Sequence, residues 1–216
     1  KSVIGTRALS SVLVKGKTDG SGIKVTTYNI TYCTTGMYQN ALATAGIEDA
    51  EIVVAGPYNI SGTAALVGAI KSYENMTGET VSQENVDTAT NELVVTGKLA
   101  ESVGDSDKAE QLVGAVKEQV VEGSDNGKKL TEEEIGNVVD QAAQEMDVQL
   151  SDEDRQEIVD LMDKIKGLDI DVDSLKEQAK DLYDKIDDLG LKLDWNQEKV
   201  QGFFSKIIEF FKNLFS

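Results

Sequence analysis

Apolar and polar positions follow two successive rhythms along this chain. Residues 7–14 (RALSSVLV) and 23–32 (IKVTTYNITY) are rich in Val, Ile, Thr and Tyr, side chains that suit a pleated, half-buried strand. Between them KGKTDGSG clusters turn residues, with Asp19-Gly20 and Gly22, so the pattern predicts a β-hairpin. Thr34 or Thr35 then caps a short helix that carries Met37, Leu42 and Ala45 and ends near Gly46. Residues 51–55 (EIVVA) read as a third strand, punctuated by Gly56 and by Pro57, the sole proline. Ser61 is placed to N-cap a helix to about Asn75, with Leu66, Ala69, Ile70 and Tyr73 as its inner face. The order is ββαβα, which defines a small α+β domain over residues 1–80.

From Ser82 the strand signals fade and helix starts repeat. Ser82, Ser106, Thr131 and Ser151 each precede acidic or amide residues. Thr131 with Glu134 and Ser151 with Asp154 have capping-box spacing, the second with a carboxylate one methylene short. Behind them run helical stripes: Ile135, Val138, Val139, Ala142 and Met146; Ile158, Leu161, Met162 and Ile165; Leu175, Ala179, Leu182, Ile186 and Leu189. About five helices, each with one buried face, are expected in an acidic segment over residues 81–196. The stripes read as core, not as a cofactor box, and no cofactor is expected.

The last segment, residues 197–216, holds all five phenylalanines: Phe203, Phe204, Phe210, Phe211 and Phe215. At about 100° per residue these fall with Val200, Ile207, Ile208 and Leu214 within an arc of roughly 160°. Nine apolar side chains at ~1.5–3 kcal/mol each represent roughly 14–27 kcal/mol of gross burial, an upper bound. A lone helix of this length is marginal in water. The face is therefore expected to lie on its own chain, on itself, on a protein partner or on a membrane surface, through Phe203, Phe204, Ile207, Ile208, Phe210, Phe211, Leu214 and Phe215.

Charge narrows the function classes. The chain of 216 residues carries a formal net charge of −18. Residues 98–196 hold 12 basic and 28 acidic side chains, whereas residues 1–97 hold 6 and 9. Phosphate-backbone binding needs clustered Lys and Arg, so nucleic acid is set aside as a partner. With 0 histidines, Ser-His-Asp and Cys-His catalysis and His-ligated zinc are excluded. The single cysteine, Cys33, excludes an intrachain disulfide and reads as a buried, inert thiol. No run approaches the ~18 apolar residues of a membrane-spanning helix.

Residues 28–78 resemble the YpuA-like family of exported Gram-positive bacterial proteins. The telling pieces are Asn29-Ile30-Thr31, Met37-Tyr38, the block NALATAGI at residues 40–47 and SGTAAL at residues 61–66. The likeness continues through the helical segment to the Phe-rich end. It implies export and an extracellular or envelope location, and transfers no catalytic residue. Family members usually carry further residues ahead of the stretch matching Ile4-Gly5-Thr6, so the first domain is expected to be incomplete or the product cleaved.

Candidate sites are few. The helix start at Ser61, Gly62 and Thr63 presents backbone N–H groups suited to an anion, although no Lys follows as in a Walker loop. Ordinary capping is the simpler reading. Asp169, Asp171 and Asp173 begin like a calcium loop, but Ser174 and Lys180 stand where Gly and Glu belong, so no metal site is expected. Ser21 and Lys24 match S-x-x-K on a turn, not at a helix start. Triplets Asn-x-Ser/Thr begin at Asn29, Asn59 and Asn75 and read as chance or fold-related. Three functions remain in order of expectation. The first is a non-enzymatic envelope protein that binds or organises a surface component through its C-terminal helix. The second is a carboxylate-based enzyme on cell-wall glycan or peptide, though no acidic pair stands out. The third is a self-assembling structural module.

Overall fold

The computed structural model describes residues 8–17, 20–125, 129–168, 170, 171 and 175. These residues hold three strands and six helices: β1 (Ser11–Gly16), β2 (Ile23–Ile30), α1 (Thr35–Thr44), β3 (Ala50–Ile60), α2 (Thr63–Thr77), α3 (Gln83–Val103), α4 (Ser106–Asp125), α5 (Glu132–Glu145) and α6 (Asp152–Ile165). The fold is α+β and its first part has the expected ββαβα order. All these elements lie in one unit, Lys1–Lys180. The stripe from Ala179 to Leu189 and the Phe-rich C-terminal segment fall outside the described residues; Leu175 is buried.

The sheet corrects the hairpin. Its order is β1-β3-β2, with β1 antiparallel and β2 parallel to β3. The run around EIVVA takes the centre because it carries the large apolar side chains Ile52 and Val54, buried to 1% and 0% exposure. Helix α1 carries the chain from β2 over to β3, and such a crossover yields parallel strands. The glycine-rich turn closes on another partner. The Asp49 carboxylate accepts the Gly20 and Gly22 N–H groups at 3.2 and 2.8 Å. β3 also runs past Gly56-Pro57. Pairing breaks between Tyr28↔Ala55 and Ile30↔Ile60, and a proline in this bulge forfeits no ladder bond.

Both helices of the first part cover one face of the sheet. α1 packs on β2 and α2 on β1, over Ile23, Val25, Ile52 and Val54. The other face carries Leu13, Val53, Thr26, Ala55 and Tyr28 in cross-strand rows. Leu13 is 67% exposed and Tyr28 58%, so among the described residues no layer covers that face at these positions.

Helix ends mostly follow local chemistry. Thr34, Ser82, Thr131 and Ser151 accept N–H groups as N-caps. Both capping boxes form. The shorter Asp154 reaches the Ser151 N–H at 3.3 Å, whereas Glu134 reaches that of Thr131 at 2.7 Å. Two caps differ from expectation. The Asp105 carboxylate, not Ser106, accepts the Lys108 N–H at 3.0 Å, because its oxygen sits one residue ahead of the first turn. Gly62, not Ser61, caps α2, without a side-chain bond.

The helices meet on a buried polar seam. Gly36, Asn40 and Thr44 lie along one face of α1 at i, i+4 spacing and are buried. Lys117 of α4, 2% exposed, donates to the Asn40 carbonyl at 2.7 Å, to Thr44 Oγ1 at 3.2 Å and to Glu92 Oε1 of α3 at 2.9 Å. The second Glu92 oxygen accepts the Thr44 hydroxyl at 2.5 Å. All three ammonium protons thus have acceptors, which is the condition under which a buried pair is tolerated. One end of the seam is Glu110, which accepts the Thr34 hydroxyl and whose carbonyl accepts Asn40 Nδ2 at 3.0 Å. A Cβ on Gly36 would collide with the Glu110 carboxylate.

Removing one member of this pair strands the other. Lys117→Met is expected to lower unfolding free energy by about 3–5 kcal/mol in urea titrations. Adding Glu92→Leu should recover much of the loss. A double variant no better than the single would show that the pair itself is net stabilising.

Candidate functional site

The parallel strands β2 and β3 end side by side, and ligands of open sheets with parallel strands sit outside such carboxyl ends. Beyond the paired Ile30 and Ile60 the chains stay joined. The Thr31 N–H donates to the Ile60 carbonyl at 2.9 Å and the Cys33 N–H to the Ser61 carbonyl at 3.1 Å. The side chains flanking this edge are Tyr28, Asn29 and Thr31 from one strand and Tyr58, Asn59 and Ser61 from the other. Tyr28 and Tyr58 are 58% and 60% exposed. Asn29 takes a left-handed backbone, φ 57°, and its amide donates to the Gly56 carbonyl at 2.9 Å, which holds the bulge open.

Behind the edge the structure is closed. Gly62 has φ 89°, and a Cβ there would come within 2.5 Å of the Tyr38 hydroxyl. That hydroxyl donates to the Gly62 carbonyl at 2.6 Å. Gly62 and Thr63 are buried and Ser61 is half-buried, so the three residues singled out for an anion sit together behind the edge, with Ser61 outermost. Burial pushes the Cys33 thiol up to about 12, against a contribution from its hydrogen bond with Tyr38 that lowers it. Burial raises the Tyr38 phenol as well, with Cys33 adding. Burial and then the Glu101 charge push Tyr32 up to about 12. These groups stay protonated and serve packing, as expected for Cys33.

Other sequence candidates are scattered. Ser21 is half-buried before β2, while Lys24 stands exposed on it. Asp169 and Asp173 fall outside the described residues. The Phe-rich contact residues do too.

Two features went unread in the sequence. The tripeptide Tyr-Asn-Ile occurs at residues 28–30 and again at residues 58–60, and parallel pairing joins the copies at Ile30↔Ile60, while Tyr28 stands opposite Ala55. Residues 25–47 and 52–70 also contain no Asp, Glu, Lys or Arg, in a chain of which 28% is charged. Both signals were present as a repeat and a charge gap; their juxtaposition needed the sheet order.

The fold and this edge define an α+β protein with exposed tyrosines at the ends of a parallel strand pair. The chain belongs to the family described as "Protein of unknown function (DUF1002)", whose model matches residues 1–182. It is 39% identical over 175 residues to "Uncharacterized protein YpuA" of Bacillus subtilis (strain 168), covering 81% of this chain and 59% of that protein. The chain thus spans about three fifths of the length of this relative. No solved structure matches it.

The thiol sets an alkaline limit. Its folded pKa lies above its ordinary value of 9.0, so the folded state holds the proton more tightly than the unfolded state. That stability is complete below about pH 9 and declines as pH rises towards about 12, by on the order of 1 kcal/mol per pH unit. Urea unfolding at pH 8 and pH 10.5 should show this decline, and Cys33→Ala should remove the thiol's share of it.

Proposed function

We propose that the chain is an exported protein of the Gram-positive cell envelope that binds or organises a surface component and does not transform it. The observation that carries this reading is where the side chains are spent. Of the buried ionisable groups, Glu92, Lys117 and Glu110 are engaged with other helices or their caps. The large apolar and aromatic groups Leu13, Tyr28 and Tyr58 face outward from the sheet and its edge. A protein that offers exposed aromatic groups while its few buried charges serve packing is equipped for contact. Among the described residues, no helix is long and apolar enough to cross a membrane.

In this reading the Phe-rich segment, residues 197–216, is the second contact element. It docks on a protein or enters a lipid surface through Phe203, Phe204, Ile207, Ile208, Phe210, Phe211, Leu214 and Phe215. Trp195 is the sole tryptophan and stands two residues ahead of it, so its fluorescence reports on the segment alone. Titrating the full chain with phosphatidylglycerol vesicles should shift the Trp195 emission to the blue. A chain ending at Asn196 should lose both the shift and co-sedimentation with the vesicles. An emission unmoved by lipid would remove the membrane version and leave the segment to a protein partner.

A further inference from the structure

The chain has four methionines, and three of them are sealed in the core. Met37, Met146 and Met162 are 1%, 4% and 0% exposed, whereas Met76 is 44% exposed. Met76 stands one residue before the end of α2 at Thr77. Its thioether has a partner on the sheet. The Gly16 N–H, at the end of β1, donates to the Met76 sulfur at 3.1 Å. β1 is an edge strand. The next N–H, that of Lys17, donates to the Asp49 carbonyl at 3.4 Å, on the side of β3. Successive amides of a strand point to opposite sides, so the Gly16 N–H points away from β3 and the ladder offers it no acceptor. The Met76 sulfur supplies one. The fit is close: a Cβ on Gly16 would come within 2.7 Å of Met76 Cε and 3.3 Å of its Sδ.

A thioether is a weak acceptor and also a nucleophile. With hydrogen peroxide, a sulfur lone pair takes one peroxide oxygen and the O–O bond breaks. The departing hydroxide removes the proton from the new S–OH group and leaves as water. The sulfur is oxidised by two electrons and the peroxide reduced by two, so thioether and peroxide become sulfoxide and water. The two lone pairs are not equivalent, because addition to one or the other gives opposite sulfoxide epimers. At Met76 the Gly16 N–H engages one of them. An oxygen on that side needs about 2.9 Å of its own from the nitrogen, and the 3.1 Å between nitrogen and sulfur does not hold it. Attack is left to the other lone pair.

We propose that Met76 is a site of oxidative modification, converted by a peroxide to a single sulfoxide epimer, and that the change is transmitted to the edge of β1 through Gly16. Oxidised sulfur carries the positive end of the S–O dipole and no longer attracts the N–H, so the Gly16 amide turns to water. The site is independent of export and of the C-terminal segment.

The test treats the full chain with hydrogen peroxide and follows tryptic peptides by mass and backbone amides by hydrogen exchange. Trypsin places each methionine on its own peptide, with Met76 in residues 72–98. The first oxygen is expected at Met76, at least about tenfold faster than at the three buried methionines. One epimer should dominate in that peptide, so that one of the two epimer-specific sulfoxide reductases restores the thioether and the other leaves it oxidised. The Gly16 amide should exchange roughly two- to tenfold faster after oxidation, the loss of one weak hydrogen bond. Met76→Leu should gain no oxygen in this peptide and should show the faster Gly16 exchange without any oxidant. Gly16→Ala pushes the flexible end of Met76 off the N–H and should oxidise there to both epimers. Equal rates at all four methionines overturn the proposal. So does an even mixture of epimers in the unaltered chain, or a Gly16 exchange rate that oxidation leaves unmoved.

Discussion

Three helices of this protein are held in register by one buried ammonium group. Lys117 reaches from α4 to the α1 backbone at Asn40, to Thr44 and to Glu92 on α3. Taking an ion pair out of water costs several kcal/mol per ion, and only complete hydrogen bonding offsets it. Here completeness depends on small geometry. Gly36 leaves room for Glu110 at the start of α1, and Gly114 lies against the Asn40 amide, where a Cβ would come within 3.3 Å. A shift of one helix past another by one residue would break several of these bonds at once. The seam therefore specifies one helix arrangement, because any other would leave a buried charge without its partners.

Everything at the strand ends follows from that placement. α1 is buried all along its length, so the two strands it connects are pinned beneath it on one side. Their carboxyl ends come out level, joined through Thr31, Ile60, Cys33 and Ser61. Parallel strands are usually covered on both faces, yet here one face and its edge remain open at Leu13, Tyr28 and Tyr58. The same residues thus carry the surface that the fold does not use.

The two halves of the chain use charge in opposite ways. The acidic helices α5 and α6 place carboxylates in their first turns, where the helix dipole favours them, and cross-link through the two-pronged Arg155–Asp140 pair at 2.6 and 2.8 Å. The strand ends carry none in residues 25–47 and 52–70.

The sequence by itself determined what depends on neighbours in the chain. Element order, the N-caps at Ser82, Thr131 and Ser151, a first cap at Thr34 or Thr35, and the stripes on α5 and α6 were all legible, because capping and amphipathic spacing act over a few residues. The buried state of Cys33 was legible for the same reason. Only the tertiary structure decided the rest. It placed β3 between β1 and β2, since strand pairing is won by whichever partner covers the most apolar strand, and turn residues such as Asp19-Gly20 do not settle that contest. It buried Glu92, Lys117 and Glu110, which a reading by residue type assigns to solvent, because their hydrogen-bond partners lie 25 to 77 residues away. And it joined the two Tyr-Asn-Ile segments at Ile30 and Ile60, since two segments thirty residues apart meet in parallel only when a crossover helix returns the chain to the same end of the sheet.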